Sequence, residues 1–142
     1  MSAEENKALV RRCLADVWDG GRLERVDDLL AESFVRHGPS ATEGEIRGRD
    51  GFKRLVSMYR ATYPDLRVPI EDQVAEGDLV VTRWTARGTH RGELMGIAPT
   101  GNPVSVSGMI LDRVVDGRIV EEWASYDALG MLRQLGAIPA PG

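Results

Sequence analysis

The sequence predicts an α+β domain in which three N-terminal helices pack against a curved antiparallel sheet of about four strands, with a short C-terminal helix. Three observations predict this class. Apolar residues recur at helical spacing in the first half of the chain. After Pro64 they alternate with polar residues, which is the period of a strand. Turn signals at Glu76-Gly77-Asp78 and Asp116-Gly117 then join neighbouring strands as hairpins.

The first half of the chain contains signals for where each helix begins and ends. Ser2 and Glu5 have the spacing of a capping box, Gly20-Gly21 is typical of a helix end, and Pro64 cannot continue a helix. The predicted elements are helices at about 3–19, 22–31 and 48–62, and a polar loop from about 33 to 45 with a short extended piece at 34–37.

In the second half of the chain, apolar and polar residues alternate as they do along the strands of a sheet. The predicted strands begin at Leu66 and cover about 66–70, 79–90, 104–115 and 118–126, and a last short helix covers about 127–135. We expect one domain, 1–142, whose residues 136–142 form a loose tail.

Composition narrows the classes of partner. The 142 residues are 42% apolar and 28% charged, which is typical of a globular domain, and the net charge of -4 argues against a nucleic-acid partner. No apolar run approaches the roughly 20 residues that span a bilayer, and the start lacks a signal-peptide pattern. We therefore expect a cytoplasmic protein without a membrane partner.

The sequence contains no pattern for a metal or an organic cofactor, so we expect neither. The single cysteine, Cys13, falls inside a predicted helix and has the pattern of a small buried apolar residue. The two histidines, His37 and His90, are far apart and have no suitably spaced carboxylate. Nucleophile-elbow, phosphate-loop and dinucleotide motifs are all missing.

Asp127 is the first candidate for catalysis, because it stands where the last strand ends and a helix begins. A carboxylate at the rim of an apolar cavity has its pKa raised by poor solvation and can act as a general acid or base. The alternative is that Asp127 only caps the helix, since aspartate is a favoured N-cap.

Strand alternation predicts which side chains share a wall. On the strand 79–90, Trp84 and His90 share the face of the apolar residues, and Arg83, Thr85 and Arg87 share the other. On the last strand, Trp123 has the parity of Asp127. We therefore expect Trp84 and Trp123 to line one cavity, with the proviso that a β-bulge would reverse these parities.

Three stretches of the chain form a recognisable set: Gly88-Thr89-His90-Arg91-Gly92, Gly96-Ile97-Ala98-Pro99-Thr100-Gly101, and Asp116-Gly117-Arg118-Ile119-Val120-Glu121-Glu122-Trp123 continuing through Asp127 to Gln134-Leu135-Gly136. Together they resemble the SnoaL-like polyketide cyclases. That family belongs to the nuclear-transport-factor-2-like superfamily, with ketosteroid isomerase and limonene epoxide hydrolase. The resemblance covers nearly the whole chain, although the strand Met109–Arg113 lacks a histidine that some relatives carry.

The resemblance implies an α+β cone with a deep apolar pocket that works without metal or organic cofactor. It implies intramolecular aldol ring closure of a polyketide ester, with Asp127 as the acid/base and with His37 and His90 matching family histidines. It also implies a homodimer or homotetramer formed through the outer sheet face. We expect the flat, polyketide-like substrate to lie against the following side chains: Trp84, Trp123, Phe34, Met109 and Tyr59.

Two other functions remain as alternatives. One is a small-molecule-binding or assembly module of the same fold without turnover, which a capped Asp127 or a polar, sealed cavity would favour. The other is an enzyme of the epoxide hydrolase or isomerase type. Epoxide opening requires paired carboxylates bridged by arginine around a water, whereas Asp112 and Arg113 point to opposite faces of a strand.

Overall fold

The computed structural model describes residues 2–139 and has the predicted α+β class, with one curved sheet packed against helices. The helices are α1 (Ala3–Arg12), α2 (Val26–Leu29), α3 (Gly48–Thr62) and α4 (Ala128–Gln134). The strands are β1 (Leu30–His37), β2 (Glu45–Arg47), β3 (Ile70–Glu76), β4 (Leu79–Thr89), β5 (Pro103–Val115) and β6 (Arg118–Tyr126).

The sheet is mixed and has six strands, where the sequence predicted about four antiparallel ones. Its order is β2-β1-β6-β5-β4-β3, and β1 runs parallel to β6 while the other neighbours are antiparallel. The predicted second helix ends early, because Leu30 is already extended and begins β1. The extended piece expected at 34–37 is the end of this buried strand.

The first helix begins as predicted and changes character along its length. The capping box is present, with the Glu5 backbone N–H 3.0 Å from Ser2 Oγ and the Ser2 N–H 3.2 Å from the Glu5 carboxylate. After α1 the chain continues as a wider π-helical segment, Cys13–Asp19. A 3₁₀ turn, Leu23–Arg25, then leads into α2. The π-helical segment presents Leu14 and Trp18 to the inner face of the sheet.

The strand β3 begins later than the predicted strand at about 66–70. Leu66 and Val68 are buried, as the pattern requires, but regular pairing starts only at Ile70. Before it, Arg67 forms an isolated bridge with Arg87 of β4. Pro69 has no N–H to donate, so the ladder is interrupted at that point.

A β-bulge near the start of β6 decides which side chains face inward. Arg113 pairs with Glu121 but Val114 pairs with Ile119, so Val120 is an extra residue in β6. Both Ile119 and Glu122 are therefore buried, although their positions have opposite parity. Beyond Val120 every side chain of β6 faces the side opposite to the one predicted.

The hydrophobic core lies between the inner face of the sheet and the helices, and the loop 90–102 covers one end of it. Leu94 in this loop is buried against the core.

Among residues 2–139, no helix is long and apolar enough to cross a membrane. In the predicted tail, residues 136–138 form a turn and bends, and residues 140–142 lie outside the described part of the chain.

Candidate active site

A cavity opens between the first helix, α3 and the inner face of the sheet. The non-atom space in it is about 610 Å³, including the space at its opening to solvent. Most of its lining is apolar or aromatic: Leu14, Trp18, Tyr63, Leu66, Val68, Trp84, Ala86, Val106, Ile110 and Met131. Four further residues bring polar groups: Arg36, Glu43, Tyr59 and Tyr126. The cavity therefore has apolar, aromatic walls and one polar end.

Arg36, on the inner face of β1, joins two carboxylates. Its Nε lies 2.7 Å from Glu43 and its Nη1 lies 2.7 Å from Glu122, and all three side chains are at most 5% exposed. Burial by itself would favour a neutral guanidine, but the charges of Glu122 and Glu43 outweigh it and raise the pKa of Arg36. Arg36 therefore stays a cation and holds Glu43 beside the cavity.

Two tyrosine hydroxyls complete the polar end of the cavity. The Tyr126 hydroxyl donates to Glu43 at 2.6 Å and lies 2.7 Å from the Tyr59 hydroxyl. Thr42 Oγ1 lies 2.6 Å from the same Tyr126 oxygen. Burial, and then the charge of Glu43, raises the pKa of Tyr59 to about 12. Burial, and then Tyr59, raises the pKa of Tyr126 as well. Both phenols therefore remain protonated at neutral pH and act as hydrogen-bond donors.

Of the five side chains predicted to contact substrate, Trp84 and Tyr59 line the cavity. Phe34 is fully buried and packs edge-on against Phe52, with ring centroids 5.4 Å apart, so it belongs to the core beside the cavity. The hydroxyl of Tyr63, which the sequence did not single out, is buried without a hydrogen-bond partner among residues 2–139. Tyr63 also lines the cavity.

Trp123 and Met109 lie on the outer face of the sheet, so the prediction that Trp84 and Trp123 share a cavity wall is wrong. Trp123 is 38% exposed and Met109 is 51% exposed. Trp123 stacks on the His37 ring at 5.4 Å, and His37 Nε2 lies 2.7 Å from Glu121 on the same outer face. The bulge at Val120 is the reason, because it reverses the side on which Trp123 emerges.

Asp127 is exposed and lies outside the lining of the cavity. Its Oδ1 accepts the backbone N–H of Gly130 at 2.8 Å, which makes it the N-cap of α4. This placement corresponds to the capping alternative, and a role for Asp127 as the acid or base stays a prediction.

His90 is fully buried and lies outside the cavity lining. Its Nδ1 accepts the backbone N–H of Thr100 at 3.2 Å, and its own backbone bonds Gly101 and Asn102. His90 therefore fastens the loop 90–102 to the end of β4. The structure brings none of Asp127, His37 and His90 together.

Sequence reasoning missed Arg36, Glu43, Glu122 and Tyr126. The alternation of Phe34 and Arg36 was a weak signal, because the sequence predicts only a short extended piece at 34–37 with helix and loop before it. Glu43 lies in a polar loop, where nothing distinguishes it from a surface residue.

Among residues 2–139, no three His, Cys, Asp or Glu side chains are grouped to hold a metal ion.

The curved sheet, the helices on its inner side and the cavity between them define the nuclear-transport-factor-2-like class of α+β domains. Among solved structures of this fold is AclR from Streptomyces galilaeus, a provisionally assigned hydroxylase. It has a TM-score of 0.87 and is 30% identical, over 99% of this chain and 87% of AclR.

Within that class, the chain belongs to the SnoaL-like polyketide cyclase family, whose profile matches residues 8–135. Nogalonic acid methyl ester cyclase from Streptomyces nogalater is 31% identical over 87% of this chain and 92% of its own length. IdmH from Streptomyces antibioticus, a provisionally assigned polyketide cyclase, is 36% identical, with a TM-score of 0.80 over 92% of this chain and 98% of IdmH. These relatives support an enzyme of the cyclase type.

Proposed function

We propose that this protein closes a ring of a polyketide methyl ester by an intramolecular aldol reaction inside the cavity. One observation carries the proposal: Glu43 and two phenols are hydrogen-bonded together at the polar end of an otherwise apolar, aromatic cavity. A relative that acts on nogalonic acid methyl ester supports the choice of substrate class.

Glu43 is the proposed base. It removes a proton from the carbon between a ketone and the ester, and the C–H electrons pass into the enolate. The enolate carbon then attacks a second carbonyl carbon of the same molecule, forming the new C–C bond and leaving an alkoxide. Tyr126 or Tyr59 gives the alkoxide its proton and is reprotonated from Glu43, so no atom is gained or lost.

The surroundings of Glu43 suit this role. Arg36 divides its charge between Glu43 and Glu122, so Glu43 is held in place without an exclusive partner. The Tyr63 hydroxyl is buried and has no hydrogen-bond partner among residues 2–139, and a rotation of it toward the cavity would let it donate to a further carbonyl of the substrate. General acid–base catalysis contributes about a hundred- to ten-thousand-fold, and alignment of the two ends of one molecule supplies much of the remainder.

A pair of variants tests Glu43 against Asp127 as the base. With nogalonic acid methyl ester as substrate, Glu43→Gln is expected to lower kcat by about a hundred- to ten-thousand-fold. Asp127→Asn is expected to leave kcat and stability nearly unchanged, because asparagine caps a helix as well as aspartate does. Glu121→Gln, which changes a carboxylate on the outer face, is the matched control.

The reverse result would reject the cavity base. If Asp127→Asn loses turnover while Glu43→Gln keeps it, the acid/base role belongs to Asp127. Circular dichroism of each variant separates lost chemistry from lost folding.

Epoxide opening is a second candidate, because Arg36 bridges two carboxylates as that chemistry requires. Asp112 and Arg113, the adjacent pair in the sequence, do not act together. Asp112 is buried, whereas Arg113 bonds Glu121 on the outer face. Hydrolysis of limonene 1,2-epoxide by the wild-type protein tests this candidate. Diol formation that Glu43→Gln abolishes would favour the hydrolase over the cyclase.

A binding module without turnover is the third candidate. The capped, exposed Asp127 favours it, whereas the open apolar cavity with Glu43 at its polar end favours an enzyme. Saturable binding of nogalonic acid methyl ester with no change in the compound over long incubation would establish the binding module.

A further inference from the structure

Asp112 is a fully buried carboxyl group of the inner face that the mechanism above does not use. It lies on β5 directly opposite Glu122 of β6 and has no exposed surface. Neither of its oxygens has a donor among the other groups of residues 2–139. Asp112 and Glu122 are paired directly across the β5–β6 ladder and both are buried, so their carboxyl groups are neighbours. Two neighbouring carboxyl groups can hydrogen-bond to each other only when one of them holds a proton.

The charges around this pair require the same proton. Arg36 from β1 is the cation that faces the pair, and it already bonds both Glu122 and Glu43. Cys13 from the first helix is close by, and burial, followed by the charge of Glu122, raises its pKa, so it is a neutral thiol. A third ionised carboxylate would leave two negative charges uncompensated in a nearly water-free region, which is strongly unfavourable.

We propose that Asp112 is a positioning residue that permanently holds a proton and donates it in a hydrogen bond to Glu122. Glu122 then keeps one orientation and holds Arg36 against Glu43 at the edge of the cavity. Each side chain thus holds the next one in place, in the order Asp112, Glu122, Arg36 and Glu43. Its effect on catalysis rests on the proposed function, whereas the protonation of Asp112 does not.

The protonation has a defined consequence for stability. Burial, and then the charge of Glu122, raises the pKa of Asp112 well above its usual range, against the opposing charge of Arg36. The folded state therefore binds a proton that the unfolded chain releases above its own pKa of about 3.9. The stabilising contribution is complete below that pH and is lost progressively as the pH rises toward the folded-state pKa.

Thermal unfolding across pH tests the protonation. From about pH 4 to about pH 8, the Tm of the wild type should fall relative to that of Asp112→Asn, because the carboxamide has no proton to lose. Asp116→Asn makes the same change in an exposed turn and should follow the wild type. Equal pH profiles for the wild type and Asp112→Asn would overturn the proposal.

Infrared spectroscopy detects the protonated carboxyl group directly. The wild type at neutral pH should show the C=O stretch of a protonated carboxylic acid, shifted in D₂O and absent from Asp112→Asn. If the wild type lacks this band, Asp112 is ionised and the proposal is rejected.

Kinetics test the positioning role separately. Asp112→Asn can still donate to Glu122 and should keep kcat within a few-fold of the wild type. Asp112→Leu cannot, and a misplaced Glu43 should lower kcat by about a hundredfold with little change in KM. Unchanged kcat in folded Asp112→Leu would reject the positioning role. If the wild type turns over no ester, the proposed function fails, but the Tm and infrared results still decide the protonation.

Discussion

Arg36 shows how one side chain organises a site at the scale of single residues. Its guanidinium is planar and rigid, so it can bond two carboxylates on different elements at once. Glu43 comes from a loop and Glu122 from β6, and Arg36 of β1 joins them. Glu43 is thereby brought to the cavity by an ion pair, although its own loop has no regular structure.

The tyrosines give a pH prediction at the same scale. All three tyrosines of the chain, Tyr59, Tyr63 and Tyr126, have a raised pKa, in each case first because of burial. The folded protein should therefore show no tyrosinate absorbance at about pH 10, the usual pKa of the phenol. Stability should fall as the pH rises above about 10, because only the unfolded chain then loses these protons.

An absorbance titration with circular dichroism at each pH checks this. The three phenols should ionise in one step that coincides with unfolding. Tyr63→Phe should reduce the change in tyrosinate absorbance but should not split the titration into two steps. A tyrosine that titrates near its usual pKa while the dichroism stays native would contradict the burial of the network.

At the scale of elements, β4 and β6 show when strand alternation can be trusted. On β4 the side chains face the core and the solvent as predicted, with Trp84 buried and both Arg83 and Arg87 exposed. The prediction holds because β4 pairs regularly with β5 along its whole length. On β6 one extra residue, Val120, reverses the division. The local sequence around Val120 contains no glycine or proline signal for this bulge.

Matched tryptophan variants test the face assignment. Trp84→Leu should weaken binding of nogalonic acid methyl ester by about tenfold, because an aromatic wall of the cavity is lost. Trp123→Leu should leave the affinity unchanged, because Trp123 stacks on His37 outside the cavity. Isothermal titration calorimetry measures both, and an equal loss in the two variants would mean that substrate contacts the outer face.

At the scale of the whole molecule, the outer sheet face carries exposed apolar side chains on its central strands. Met109 and Trp123 lie there on the neighbouring strands β5 and β6, beside His37. Exposed apolar residues grouped on one face of a sheet are typical of an interface. We propose that two copies of this chain pair through this face.

Light scattering after size exclusion tests the pairing. The wild type should have twice the chain mass of 15.6 kDa, and the double variant Met109→Lys with Trp123→Lys should have the single mass. Val74→Lys, on the edge strand β3, is the control and should remain paired. A wild type of single mass would reject the interface.

The sequence by itself determined the elements with local signals. The first helix begins at its capping box, and the hairpin between β5 and β6 turns at Asp116-Gly117, where both residues have positive φ as a tight two-residue turn requires. The class and the family also followed from the sequence, because they depend on the order of elements and on short motifs. Trp84 and Tyr59 were found as cavity residues because each faces inward on a regular element.

Only the tertiary structure decided the composition of the site. The parallel pairing of β1 with β6 joins segments that are far apart in the chain, and it brings Arg36 next to Glu122. The bulge at Val120 turns Tyr126 into the cavity and Trp123 out of it. Long-range pairing, a one-residue register shift and an ion pair to a loop leave no periodic signal in the sequence, because their energies depend on partners distant in the chain.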